Sequence, residues 1–181
     1  FDIAWNCPNG IRLDSLDEEL VFWMRKAGCY EVCVGIESGS ERILKMIKKG
    51  ISIDLVREKV NLLNRAGIRV IGYFIIGFPT ETKEEIENTL KFSLELPLFR
   101  AGYFILCPYP GTKIYDQIKE KYKIKREDID FMDFRRFKNN LSELSYEKLR
   151  KFNKYMYFRF YLRPHILIWN LANIKSFSHF K

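Results

Sequence analysis

The sequence predicts an α/β protein built on a parallel sheet. Three observations carry this. Strand-like and helix-like segments alternate through the first two-thirds of the chain. The run IRVIGYFIIGF (68–78) is apolar on both faces, as a strand covered on both sides must be. Helix starts with capping residues, and helix stops with glycine, punctuate the spaces between strands.

Taken in order, FDIAWN (1–6) reads as the first strand. DSLDEELVFWMRKAG (14–28) reads as a helix, with Ser15 and Glu18 at capping-box spacing, a stripe of Leu20, Trp23, Met24 and Ala27, and Gly28 as the stop. EVCVGI (31–36) is a strand of β-branched and small residues, followed by helical patterns over 40–49 and 52–66. After the central strand 68–78, Thr82 and Glu85 form a second capping box, and Ile86, Leu90 and Leu94 share one helical face. RAGYFILCPYP (100–110) is the fourth strand, and GTKIYDQIKEKY starts another helix. The triplets Lys26-Ala27-Gly28, Arg65-Ala66-Gly67 and Arg100-Ala101-Gly102 look like three similar helix-to-strand joints. LSELSYEKLRKFNKYMYFRFYLRP (141–164) is a long helix rich in aromatics and bases, which Pro164 breaks or kinks before a further apolar helix to about Ala172.

The chain has 181 residues, with 47% hydrophobic and 15% aromatic content, which excludes a disordered chain. Its net charge of +8 is compatible with an anionic partner, yet no Arg/Lys run exceeds two residues. Four sparse cysteines (Cys7, Cys29, Cys33, Cys107) and no signal peptide suggest reduced thiols in the cytoplasm. No stretch reaches the roughly 18 apolar residues of a membrane span. The start at Phe1, inside an apolar run, suggests a fragment with sequence upstream. Topology agrees, because four strands cannot close a barrel.

In parallel α/β folds, ligands sit at the carboxyl ends of the strands. The expected ends here are rich in polar and small residues: Asn6, Cys7, Arg12 and Asp14; Gly35, Glu37, Ser38 and Gly39; Gly77, Pro79, Thr80 and Glu81; Cys107, Pro108, Tyr109, Pro110 and Gly111. Glu37 is either a carboxylate favoured near a helix start or an acceptor for a ligand's hydroxyl or ammonium groups, with Gly35 and Gly39 allowing close approach. Glu81 fits a first helical turn equally well. Tyr109 stacks on a planar ligand or covers the rim, and Arg12 pairs with Asp14 or reaches an anionic substrate. Cys29 and Cys33 have the C-x₃-C spacing of an iron–sulfur site, but Ile36 stands where the third thiolate would be needed, so no metal site is expected. His165 and His179 lack ligand-spaced companions and read as structural.

Together, GIESGSERILKMIKKG (35–50), GYFIIGFPTETKEEIENTLKF (72–92) and PYPGTKIYDQI (108–118), preceded by RLDSLDEELVFWMRKAGC (12–29), resemble the radical S-adenosylmethionine (SAM) superfamily in its Elp-three/NifB-like core. The similarity covers about residues 1–120. The tail FRFYLRPHILIWNL resembles, more loosely, the end of the cobalamin-binding branch, whose members often act on lipid or tetrapyrrole substrates.

The resemblance implies a partial (β/α)6 TIM-like barrel, of which this chain supplies strands three to six (residues 1–122), followed by a helical C-terminal extension (123–181). It implies cofactor-binding roles for Gly35, Glu37 and Ser38 at the ribose and methionine part of SAM. It implies the same for Ile75, Gly77 and Pro79 on the next strand, and for Cys107 and Pro108 beside adenine. Arg12 and Tyr109 are substrate candidates. The C-x₃-C-x₂-C loop for a [4Fe–4S] cluster is absent here, so its ligands would lie outside this chain. The complete enzyme would cleave SAM reductively, with a one-electron reductant, and cobalamin if the tail match holds; this piece alone is expected to be inactive. Two rivals stand beside this reading. One is a redox-free (β/α) barrel enzyme for a phosphorylated metabolite. The other is a basic module using residues 148–163 on RNA or a membrane surface, against which an amphipathic helix packed on the barrel is the plainer explanation. Nucleic acid is not the expected partner, whereas peripheral membrane contact stays open.

Overall fold

The computed structural model describes residues 3–129, 141–164 and 166–168. Strands β1 (Trp5–Ile11), β2 (Cys29–Glu37), β3 (Arg69–Ile76) and β4 (Arg100–Ile105) form one sheet in the order β1-β2-β3-β4, all parallel. Helices fill the crossovers: α1 (Glu18–Lys26), then α2 (Glu41–Met46) and α3 (Ile53–Arg65), then α4 (Lys83–Glu95). Two more, α5 (Lys113–Ile118) and α6 (Tyr146–Tyr161), follow the last strand. The α/β class and the parallel pairing are those expected. Strands that neighbour in both sequence and space are what a stretch of (β/α) barrel provides.

The two faces of the sheet are unequal. On the helix side, Val32, Val34 and Ile36 of β2, Val70, Phe74 and Ile76 of β3, and Ala101 and Tyr103 of β4 are buried in one core with Val56, Val60 and Leu63 of α3 and Ile86 of α4. On the other face Arg69, Ile71, Tyr73 and Ile75 are only half-buried, so β3 alternates strictly instead of being sealed on both sides. Gly72 fits within this core because a Cβ there would meet Leu98 at 2.8 Å. The capping box of α4 is formed as expected, Thr82 and Glu85 each satisfying the other's backbone N–H.

Several expected boundaries move. The first strand begins at Trp5 and runs to Ile11, and around Pro8, which has no N–H to give the ladder, the chain bulges between the Cys7–Val32 and Ile11–Val34 pairs. Asn6 and Cys7 therefore lie inside β1 and not at its carboxyl end. Asp17, not Ser15, caps α1 by accepting from Leu20 N at 2.7 Å; Ser15 sits in a 3₁₀ turn and donates to Arg12 O. That helix touches the core along a narrow line through Val21 and Met24, leaving Leu20 and Trp23 of the expected stripe exposed. Of the three expected joints, Gly28 (φ +92°) and Gly67 (φ +76°) do end helices in left-handed backbone. Gly102 instead lies within β4, where a Cβ would meet the Tyr73 ring at 2.9 Å. The expected helix to Ala172, with His165 and His179, falls mostly outside the described residues.

α6 settles the fate of the sheet edge. Its inner face buries Leu149, Met156 and Phe160 in the main core. From the same face Tyr157 Oη accepts from Tyr103 N (3.0 Å) and donates to Tyr103 O (3.1 Å). One turn later, Tyr161 Oη does the same to Ala101 N (3.3 Å) and Ala101 O (2.9 Å). Asn153 adds a bond to Tyr103 O at 3.0 Å. Two phenols at i and i+4 thus stand in for a fifth strand, satisfying alternate residues of β4 that would otherwise offer open edge groups.

Replacing both phenols (Tyr157→Phe, Tyr161→Phe) keeps the packing and removes four edge bonds. We expect a loss of about 2–4 kcal/mol in urea unfolding, at the usual net worth of about 1 kcal/mol per bond. Concentration-dependent self-association should appear in sedimentation; a double variant as stable and monomeric as the parent would refute this role for the phenols.

Candidate functional site

The carboxyl edge of the sheet gathers three loops whose backbones are bent and pinned. At the end of β2 the pairing with β3 slips between Gly35–Tyr73 and Glu37–Phe74, a bulge that re-aims the last side chain. Glu37 follows in left-handed backbone, φ +69°, which costs a non-glycine residue about 1 kcal/mol. Its Oε1 accepts from Lys49 Nζ at 2.6 Å. Gly35 makes this pair possible, since a Cβ at that position would stand 2.6 Å from Glu37 Oε1 and 3.0 Å from Lys49 Nζ. Lys49 and Gly35 also line a cavity of about 230 Å³ with Arg12, Asp14 and Lys48. Within it Arg12 and Asp14 form an exposed bidentate pair at 3.0 and 2.6 Å.

Ser38 and Gly39 do different work from that expected. Ser38 is fully buried, its Oγ 3.2 Å from Thr89 Oγ1 of α4 and accepting from Ser40 N. A Cβ on Gly39 would lie 2.6 Å from Asn88 O, so this glycine lets the loop approach the α4 backbone. Ser40 caps α2 and donates to Glu85 Oε1 at 2.8 Å.

The β3–α4 loop is tied to the same point. Arg42 of α2 grips Glu85 with two bonds, Nε to Oε1 at 2.8 Å and Nη2 to Oε2 at 2.6 Å. It also donates to Thr80 O at 2.9 Å, holding a residue whose φ is +61°. Hydrogen bonds from Arg42, then from Thr82 N and Ser40, hold the Glu85 carboxyl down at about 2 against the opposing effect of burial.

Glu81 is the residue the sequence left most ambiguous. It precedes the Thr82 cap, so it is not in a first helical turn; its side chain is fully buried. Oε2 accepts from Gly77 N at 2.5 Å and Phe78 N at 3.1 Å, fixing the left-handed turn at Gly77 (φ +89°). Oε1 has no partner among the described residues. Burial pushes its pKa up to about 7, only partly offset by the two N–H bonds. The Gly77-x₃-Glu81 spacing was the available signal. Ile75 and Tyr73 sit half-buried on the open face beside this turn, and Cys33 Sγ lies 3.5 Å from Tyr73 Oη. The bond to Cys33, then burial, raises the Tyr73 phenol to about 12.

The third loop is apart. Cys107 and Tyr109 pack against a small second cluster of Ile118, Ile124, Ile129 and Leu141. Burial raises the Cys107 thiol. The Tyr109 ring is part of this packing, and its backbone O accepts from Thr112 at the start of α5. Cys29 lies in the helix-side core and the Cys33 thiol on Tyr73, so the C-x₃-C pair forms no metal site. Among the described residues, no three His, Cys, Asp or Glu side chains converge as metal ligands.

The profile of the radical SAM superfamily matches residues 7–93, from β1 through most of α4. A protein of Pyrococcus horikoshii described as an uncharacterized methyltransferase is 36% identical over 97% of this chain and 38% of its own length. Cytidylyl-2-hydroxyethylphosphonate methyltransferase of Streptomyces wedmorensis is 32% identical over 62% of the chain and 22% of its length. The chain therefore spans well under half of these relatives. Among solved structures, the radical S-adenosylmethionine methyltransferase TsrM of Kitasatospora setae, with cobalamin and a [4Fe–4S] cluster bound, superposes with a TM-score of 0.56. It covers 64% of this chain and 22% of its own at 24% identity, a likeness of fold.

Glu81 makes stability depend on pH with a defined sign. Its folded pKa, about 7, lies above the ordinary 4.5, so the folded state holds the proton more tightly. The stabilisation is complete below about pH 4.5 and is lost as pH rises to 7, an effect of up to roughly 3 kcal/mol. Glu85, with its lowered pKa, acts in the opposite sense only below pH 4.5. Urea midpoints should therefore fall between pH 5 and pH 8 in the parent and stay level in Glu81→Gln; parallel slopes for the two would reject the assignment.

Proposed function

We propose that this chain, whose residues 7–93 match the radical SAM superfamily, is the C-terminal part of the SAM-binding barrel of a radical SAM methyltransferase. The observation that carries the proposal is the Glu37 bulge: a carboxylate in costly left-handed backbone, aimed by a strand irregularity at the carboxyl edge and held by Lys49 over a glycine. Strain of this kind is characteristic of sites that serve a ligand. Methyl transfer is the reading supported by the two relatives, both described as methyltransferases. The redox-free barrel for a phosphorylated metabolite gains nothing from them.

In this reading residues 1–122 are the barrel part and 123–181 the helical extension. Glu37 accepts from the hydroxyl or ammonium groups of SAM, while Gly35 and the backbone at Ser38 leave room for its ribose and methionine part; the Ser38 hydroxyl, committed to Thr89, takes no part. Ile75, Gly77 and Pro79 form the adenine wall, its turn held rigid by Glu81. The backbone at Cys107 and Pro108 closes the other side. Arg12 and Tyr109 face the substrate, with Arg12 free to leave Asp14 for an anionic group because that pair is exposed. The cluster does not fit the residues described here, so its thiolates belong elsewhere in the complete protein. There the cluster, SAM and cobalamin would supply reductive SAM cleavage and the carrying of a methyl group. The rest of the proposal is a small organic substrate of lipid or tetrapyrrole type, a one-electron reductant and a cytoplasmic setting.

The test uses the full-length protein, reconstituted anaerobically, and measures both SAM binding and 5′-deoxyadenosine release. The loss of one charged hydrogen-bonding group in Glu37→Ala should weaken SAM binding about 10- to 100-fold while the fold survives. Unchanged binding and turnover would remove Glu37 from the site; no SAM binding by the parent would remove the function itself.

A further inference from the structure

The net charge of this chain is confined to its end. Residues 148–181 contain eight Lys and Arg and no Asp or Glu, whereas residues 1–147 balance 23 basic against 23 acidic side chains. The whole excess of +8 therefore begins on α6, the helix whose inner face is already spent on the core and on the edge of β4. Its outer face is a line at i, i+4, i+7 and i+11: Lys151, Tyr155, Phe158 and Leu162, all exposed, with Phe158 at 62%. Lys154 flanks this line on one side and Lys148 and Arg159 on the other, also exposed. Beyond Pro164 the apolar surface continues through Leu167 and Ile168, the latter 67% exposed.

We propose that this face docks the protein on an anionic membrane surface. An apolar strip flanked by basic side chains is the pattern of a helix lying in a lipid interface, where aromatic and aliphatic groups enter the headgroup boundary and cations meet the lipid charges. The other exposed apolar patch, Leu20, Phe22 and Trp23 on α1, is of mixed charge, with Asp17, Glu18 and Glu19 at one end of the helix and Arg25 and Lys26 at the other, so it lacks the one-sided positive charge of residues 148–181. Among the described residues, the acidic groups that line the hollows along α6 are Glu143 and Glu147, both at the helix start and away from Phe158 and Leu162. Aliphatic side chains decide between lipid and RNA. Leu162, Leu167 and Ile168 offer no flat ring on which a base could stack, yet they bury readily in a headgroup layer. Arg163 is not part of the surface, because its guanidinium covers the Phe160 ring at 3.9 Å and donates to Leu94 O and Leu98 O. Membrane binding here is peripheral, since no helix among the described residues is long and apolar enough to cross a bilayer.

The experiment is co-sedimentation of the full-length protein with vesicles of phosphatidylcholine, alone or with about one-third phosphatidylglycerol. Neither cofactors nor turnover are needed, so this inference can fail while the proposed function stands. We expect pelleting only with the anionic vesicles, weakened by raising salt from about 0.1 to about 0.5 M. Lys151→Glu with Lys154→Glu should cut partitioning by more than about 25-fold, at about fivefold for each cation lost. Phe158→Ser with Leu162→Ser should cut it about tenfold or more by removing insertion. Both pairs are exposed, so unchanged urea midpoints will certify the fold. A protein that stays in the supernatant with anionic vesicles overturns the proposal. So does a serine variant that pellets like the parent while single-stranded RNA displaces both, which would mark a nucleic-acid surface.

Discussion

The rim of this sheet depends on one ion pair. Arg42 and Glu85 come from α2 and α4, helices that start in different crossovers, and their two-pronged contact ties the loop after β2 to the loop after β3. Around it gather Thr80 O, Ser40 Oγ and the Thr82 cap, so one carboxylate terminates or supports three local structures at once. Remove Glu85 and the starts of α4 and α2 each lose a partner, while Arg42, the donor to the left-handed Thr80, loses its anchor. The fold accepts unfavourable backbone at Glu37 and Thr80 where this network, with the Ser38–Thr89 contact beneath it, holds the loops in place.

Two carboxylates only four residues apart are driven in opposite directions by this arrangement. Glu85 meets a guanidinium and several donors and is held ionised; Glu81 is buried with only two backbone N–H groups as donors, and is pushed toward neutrality. The contrast is a matter of orientation. Thr82 begins the helix between them, so Glu85 reaches back along the helix surface to Arg42 while Glu81 turns inward under the Gly77 turn.

The parallel sheet and the positions of all six helices were legible from periodicity and caps, because those signals are local. The Thr82–Glu85 box was readable for the same reason. Glycine roles were harder, since a sequence shows that a residue is small and not what it must clear. Gly35 and Gly39 look alike in GIESGS, yet one makes room for an ion pair and the other for the backbone of α4. The first strand was placed over 1–6, whereas the ladder runs on through Pro8 and Gly10 at an irregular edge. Glu81 was obscured by its neighbours: acids crowd every helix start, and only the distance to Gly77 N separates a buried acceptor from a surface charge. The resemblance to radical SAM enzymes was visible as an ordered set of strand ends, none of which would suffice alone.

The phenols of α6 have a consequence in time. Tyr157 and Tyr161 lie 54 to 60 residues beyond the β4 groups they satisfy. During synthesis from the N-terminus, the sheet is assembled strand by strand while its last edge stays open until that much more polypeptide has emerged. Through that interval β4 is a bare template, and the chain's protection against pairing with a neighbouring nascent copy is the speed of translation and the chaperones that attend it. The helix that closes the sheet thus also ends the period in which the protein is most vulnerable to misassembly.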